Sequence, residues 1–367
     1  ATESVTDLVE AMHRTIGGGP AVLGRPLDGP TRLVTGLVYK TIRGVTHLVG
    51  ASIDVALAQL GPLLGDSVPG GEREAMLSVL NGVLGDYLHE TGNPLAIAMR
   101  LRRDDQAQPS RKLVVLVHGS CMHDRQWLRL GHDHGAALAR DLGYTPLYLH
   151  YNSGLHISAN GRALDALLEE LVTTWPLPVD ELAVVGHSMG GLVARSACHF
   201  ADAAGHRWRG SLRRLVCLGS PHHGTALEQG GNWIDVLLGV SRYSAPLARL
   251  GKIRSAGVTD LRYGNVLDEH WQGRDRFAGG RDTRTPLPLP DGVDCYAVAA
   301  SRSASAQSAR RLSGDGLVSV ASALGRHTRP ELTLAFPEAH QWIAFGMGHL
   351  DLLGRLEVYE TIRGWLG

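Results

Sequence analysis

Leu182-Ala183-Val184-Val185-Gly186-His187-Ser188-Met189-Gly190-Gly191-Leu192-Val193-Ala194-Arg195 reads as a short apolar run, a glycine-flanked turn and the start of an apolar-faced helix. Small residues two before and two after Ser188 are what a nucleophile elbow requires. The chain passes from strand to helix so sharply that side chains at 186 and 190 would collide, and the serine backbone is strained. Such a turn lifts the serine Oγ above the carboxyl ends of the strands. The N-terminus of the following helix then favours negative charge on a substrate oxygen. A bare G-x-S-x-G also occurs in turns where the serine merely caps a helix. Here the preceding strand, the following helix and the extension to GHSMGG favour the nucleophile.

Outward from the elbow, short apolar runs alternate with helical stretches. Leu95–Leu101, Leu113–Val117, Pro146–His150, Leu182–Val185, Leu215–Leu218 and Cys295–Ala300 read as strands, with another in the Leu332–Phe345 region. Helices are expected over Trp127–Leu142, Gly161–Trp175, Met189 to about Ala203, and Leu350–Trp365. This alternation predicts βαβ units, an α/β fold and a mainly parallel sheet covered on both faces. The first hundred residues differ. Val34, Val38, Ile42, Val45, Val49, Ile53, Ala56 and Leu60 recur at steps of three and four, the face of one long helix or of two broken near Gly50. A second stripe runs through Met76, Leu80, Val83 and Tyr87. A helical appendage packed on the catalytic domain is the plain reading. A lipid-touching face is the sharper one, for which Lys40 and Arg43 supply too little basic charge.

Two further segments complete the chemistry that Ser188 needs. The apolar run Leu113–Val117 ends in His118-Gly119-Ser120-Cys121. A strand ending in His-Gly is where an oxyanion-hole N–H comes from; the second comes from the residue after the nucleophile. The expected donors are the backbone N–H groups of Ser120 and Met189, with His118 bracing the loop and Cys121 a small loop residue. A carboxylate and a base should follow the serine in that chain order. Asp315, in Ser313-Gly314-Asp315-Gly316, lies after the strand Cys295–Ala300 and is the expected partner of the imidazole. Asp294 and Asp291 precede that strand, at the wrong end of the sheet. His349, in Gly346-Met347-Gly348-His349, stands between an apolar stretch and the final helix and is the expected base; His340 competes. His187 is expected to point away from the site, and His222 and His223 to lie beside it, though they precede Asp315.

Composition excludes several alternatives. In 367 residues Lys plus Arg is 36 and Asp plus Glu is 36, so the chain lacks the basic footprint of a nucleic-acid binder. The four cysteines form no C-x-x-C pair, and Cys198, Cys217 and Cys295 lie in apolar runs, so buried thiols are expected rather than disulfides or a zinc ribbon. Reduced thiols, and a start (ATESVTDLVEAMHR) without a basic, apolar leader, lead us to expect a cytoplasmic protein.

The segments VLVHGSCMHDRQW, VVGHSMGGLVARS, LGSPHHGT, GDGLVSV and GHLDLL resemble those of bacterial lipases and esterases, nearest the inositol-deacylase-like branch of the α/β-hydrolase fold. The resemblance spans roughly Leu113 to Trp365. It implies an α/β-hydrolase domain over 95–367 with a lid or cap insertion at 225–290, after a helical N-terminal extension over 1–94. It also implies Ser188, Asp315 and His349 as a catalytic triad and Ser120 and Met189 as oxyanion donors, with Gly219–Gly224 beside the acyl site. Candidate pocket residues are His222, Trp233, Leu237 and Trp271. The first hundred residues have no counterpart in compact lipases. The insertion carries Arg242, Arg249, Arg254, Arg262, Arg274, Arg276, Arg281 and Arg284, which argues against a lid opened by lipid.

The expected activity is hydrolysis of a small-molecule, lipid-like or polymeric carboxylic ester, with no cofactor and no metal. A thioesterase, an acyltransferase or a polyesterase would use the same triad. A binding protein of the same fold is the non-catalytic alternative.

Overall fold

The computed structural model describes residues 70–103, 108–225, 255–276, 281–305 and 314–367. The helix expected within Thr31–Leu60, Trp233, Leu237 and much of the expected lid lie outside these residues. In chain order the elements are α1 (Gly70–Glu90), β1 (Arg100–Arg103), β2 (Lys112–Val117), β3 (Leu128–Arg129), β4 (His132–Asp133), α2 (His134–Leu142), β5 (Thr145–His150) and α3 (Ile157–Thr174). They continue with β6 (Glu181–His187), α4 (Met189–Ala204), α5 (Trp208–Ser211), β7 (Leu212–Leu218), α6 (Ala256–Asp260), β8 (Asp294–Ser301), α7 (Val320–Ala323), β9 (Gln341–Phe345) and α8 (Leu356–Leu366).

Seven strands form one sheet in the order β1-β5-β2-β6-β7-β8-β9. Only β1 runs antiparallel to its neighbour. Both faces are covered, and the strand alternation shows how. Leu113, Val115 and Val117 of β2 join Leu182 and Val184 of β6 and Leu215 and Cys217 of β7 on one face, packed with α1, α3 and α4. Val114, Leu116, Ala183, Val185, Val216 and Leu218 point the other way, onto α2 and α8. A parallel strand buried on both faces has no solvated side, so its sequence is a continuous apolar run. That is why LVVLV was so conspicuous.

Two expected elements differ. Leu95–Leu101 is not one strand: β1 begins at Arg100 and pairs antiparallel with β5. The residues before it bind a side chain instead. Asn81 of α1 donates from Nδ2 to the Leu95 carbonyl at 2.8 Å and accepts from the Ile97 amide at 2.9 Å. The helix expected over Trp127–Leu142 starts only at His134, because Leu130 (φ 53°) and Gly131 (φ 76°) turn the chain into the β3–β4 hairpin.

α1 contributes Met76, Leu77, Val79, Leu80, Val83, Leu84 and Leu88 to the same apolar cluster as the central strands. All four cysteines are free, and Cys198, Cys217 and Cys295 are buried. No helix among the described residues is long and apolar enough to cross a membrane.

Candidate active site

β6 ends at His187 and α4 begins at Met189, leaving Ser188 alone at the turn with φ 54° and ψ −124°. A positive φ on a residue with a Cβ is strained. The turn is held from both sides: the Ser188 amide donates to Leu218 O of β7 at 2.8 Å, and the Gly191 amide donates to Ser188 O at 3.2 Å. Neither flanking glycine could be larger. A Cβ at 186 would strike the Gly191 backbone, and one at 190 would fall on the Val117 carbonyl. Ser188 is 8% exposed, at the mouth of a cavity of about 110 Å³.

The same cavity is lined by His349, which follows β9 and opens a 3-10 turn over His349–Leu353. Its Nδ1 lies 2.6 Å from Asp315 Oδ2. Asp315 is itself fixed, its Oδ1 accepting the amides of Leu317 and Val318, each at 2.8 Å. Burial alone would raise the Asp315 carboxyl. The adjoining imidazole and the two amides outweigh it and hold the group below the usual carboxylate value. The far nitrogen of His349, Nε2, is buried and has no hydrogen-bond partner.

The third component is the loop after β2. Ser120 lines the cavity, and the next residue, Cys121, turns through φ 59° with its amide donating to Ser153 Oγ at 3.0 Å. Neither the Ser120 amide nor the Met189 amide has an acceptor among the described residues. His118 braces the loop from below: Nδ1 lies 2.8 Å from Gly119 O, and the ring stacks on Tyr151 at 4.3 Å. Burial pushes its pKa down to about 3, so it is neutral. Burial pushes the Cys121 thiol up to about 11. It therefore stays protonated at neutral pH and is a poor nucleophile.

The structure thus brings Ser188, His349, Asp315, Ser120 and Met189 to the carboxyl ends of the strands. It places other candidates elsewhere. His222 is fully buried against Arg195 (Nη1 to Nδ1, 3.3 Å) and does not line the cavity at Ser188. Trp271 stacks on His156 at 3.7 Å and donates to Ser158 Oγ, also away from that cavity. His187 departs from expectation in the other direction. It lines the cavity, and its Nε2 lies 3.1 Å from the His349 carbonyl oxygen, so it steadies His349.

Val79, Met122, Leu128, Leu317, Leu350 and Leu353 supply apolar walls that sequence reasoning had not named. Leu317 and Leu350 could have been found from their places beside Asp315 and His349. Val79 carries no local signal, because its place depends on where a separate helix docks.

Residues 108–279 match the family model of the PGAP1-like alpha/beta domain, a span that includes the elbow and the Ser120 loop but ends before Asp315. Among solved structures, the chain is similar to a lipase of Bacillus licheniformis in its mature form, at 18% identity and a TM-score of 0.46, covering 73% of this chain and 98% of that one. It is also similar to lipase B of Aspergillus fumigatus, at 12% identity and a TM-score of 0.44, covering 96% and 83%. Phospholipase PlaB from Legionella pneumophila aligns at 19% identity and a TM-score of 0.37, covering 58% and 44%. No curated protein matches.

Proposed function

We propose that this α/β-hydrolase, whose PGAP1-like segment carries the elbow, is a serine carboxylic-ester hydrolase working through an acyl-enzyme on Ser188. The observation that carries the reading is the His349–Asp315 pair at 2.6 Å, which leaves Nε2 without a partner in the cavity that Ser188 lines. In this reading Ser188 Oγ attacks the ester carbonyl while His349 Nε2 takes its proton. The amides of Ser120 and Met189 hold the tetrahedral oxyanion. Backbone donors suit that role because they need no reorganisation when charge appears. His349 then protonates the alkoxide, the alcohol leaves, and the acyl group remains on Ser188. Water, deprotonated by His349, attacks the acyl-enzyme and frees the acid and the serine. Asp315 fixes the imidazole tautomer and stabilises the imidazolium throughout.

Reaction with a fluorophosphonate tests this directly. The wild type is expected to gain one phosphonyl group, located at Ser188 by peptide mass, and Ser188→Ala to gain none. Hydrolysis of p-nitrophenyl esters should disappear in the same variant. A wild type that neither labels nor turns over any ester would remove the proposal.

A further inference from the structure

Below the Ser120 loop lies a polar cluster that the ester chemistry does not use. Glu74 of α1, Asp124 at the start of the 3-10 turn Asp124–Trp127, and His150 at the end of β5 each offer one ligand atom, all within 4.8 Å of one another. Three separate parts of the chain meet there. Asp124 and His150 are almost wholly buried, with side-chain exposures of 4% and 3%, whereas Glu74, at 23%, opens the cluster to solvent.

His150 Nδ1 is buried, makes no hydrogen bond of good geometry and faces Asp124 Oδ1 at 3.2 Å, while Nε2 of the same ring lies 3.5 Å from Glu74 Oε2. A separation of 3.2 Å is that of an ion pair and is also the spacing of two ligands of one ion. Bonds of about 2.0–2.1 Å at the tetrahedral angle place their ligand atoms roughly 3.3 Å apart. The other Asp124 oxygen takes the Arg102 guanidinium, which lies over the Tyr148 ring at 4.6 Å. A carboxylate that ligates through one oxygen while the other is held by a donor is the usual outer arrangement of a metal centre. Two more imidazole nitrogens close by, His118 Nε2 and His123 Nδ1, are also buried without partners. His118 already engages the Gly119 carbonyl through Nδ1, and its ring lies 6.5 Å from that of His150.

We propose that Glu74, Asp124 and His150 form a binding site for a zinc ion. One imidazole with two carboxylates suits zinc and its divalent neighbours, whereas calcium and magnesium prefer all-oxygen sets. A cation there would join α1 to the turn that follows the Ser120 loop. The site stands independently of the esterase reading.

The test uses the full chain, stripped with a chelator, reloaded with zinc chloride and desalted. Elemental analysis of the wild type should give one zinc per chain, and the melting temperature should rise with added zinc. Cobalt(II) in place of zinc should give visible ligand-field absorption. Glu74→Gln and His150→Gln should each weaken zinc binding by roughly 10- to 100-fold and lose the cobalt spectrum. Glu74 is the less buried ligand, so Glu74→Gln decides the matter if His150→Gln does not fold. The proposal is overturned if the wild type retains no zinc and shows no cobalt spectrum. It is equally overturned if Glu74→Gln keeps both, since the metal would then sit on other histidines.

Discussion

Ser188 holds φ 54°, a conformation that costs about 1–3 kcal/mol in a residue with a Cβ and persists only where its surroundings over-determine it. Those surroundings are the two amide bonds at the elbow and the close backbone approach at Gly186 and Gly190. Asp315 is the residue at which the proposed mechanism is most exposed to test. Asp315→Asn can still accept the Leu317 and Val318 amides, so the loop should stay folded. Its amide would turn a donor toward His349 Nδ1 and favour the wrong tautomer. The expected result is a kcat lowered by roughly 10⁴-fold with KM little changed, measured on a soluble p-nitrophenyl ester. A loss under tenfold would mean that Asp315 does not orient the base. Glycine flanks made Ser188, Asp315 and His349 readable in sequence, because a side chain on a sharp turn at a strand's end leaves a local mark. His187 left no such mark. Strand alternation predicts which face a residue takes, but the elbow reverses direction at once after His187, and only the folded path shows it reaching the His349 carbonyl.

At the scale of elements, α1 carries the most surprise. Its apolar stripe was plain in sequence, but periodicity says that a helix buries a face, not which partner covers it. The partner includes the Ser120 loop. A Cβ on Gly82 would run into Cys121 Sγ and lie 2.9 Å from Cys121 Cα, closer than real contacts allow. The helix is pinned at that level by Ser255 Oγ, which donates to Gly82 O at 2.6 Å, and by the Ala256 amide, which donates to Asp86 at 2.9 Å. Arg276, from the segment expected to form a lid, also pairs with Asp86. Gly82→Ala should therefore displace Cys121 rather than the helix, and with it the Ser120 amide beside it. On the esterase reading, kcat should fall roughly ten- to a hundredfold with KM nearly constant, since a donor about 1 Å out of place stabilises the oxyanion poorly. Gly364→Ala in α8, where a Cβ meets nothing, serves as the control and should leave both constants unchanged. Equal losses in the two variants would show that α1 does not position the loop. β1 starts later than the apolar run predicts for a related reason: the Leu95 carbonyl and the Ile97 amide are satisfied by Asn81, a partner that no strand pattern announces.

Taken whole, the molecule buries histidines on both faces of its sheet. His134, beneath α8, and His270, within the segment expected to form a lid, are pushed by burial down to about 4; His187 and His222 are driven well below the ordinary value by the same cause. All four are at most 3% exposed. Such groups are neutral in the native state and free to protonate once unfolded. Above about pH 6.5 neither state binds the proton, and their effect on stability is constant. As pH falls below 6.5 the unfolded chain takes up protons that the native state refuses, so stability declines until the native values are reached. Each such histidine contributes a slope of about 1.4 kcal/mol per pH unit in that window. Asp315 acts in the same direction at lower pH: its native value is depressed, so the stability it adds is present above the unfolded carboxylate value and is lost as pH falls through the native one. Two or three of these histidines would suffice to exhaust an ordinary folding free energy within a few pH units. Melting temperature should therefore be flat from pH 8 to about 7 and fall steeply between roughly pH 6 and 4, with far-UV signal lost before the carboxylates titrate. His134→Gln, which removes one such imidazole while its amide can still donate to the Leu352 carbonyl, should soften that slope. A melting temperature unchanged down to pH 4 would show that these imidazoles already carry their protons in the folded state.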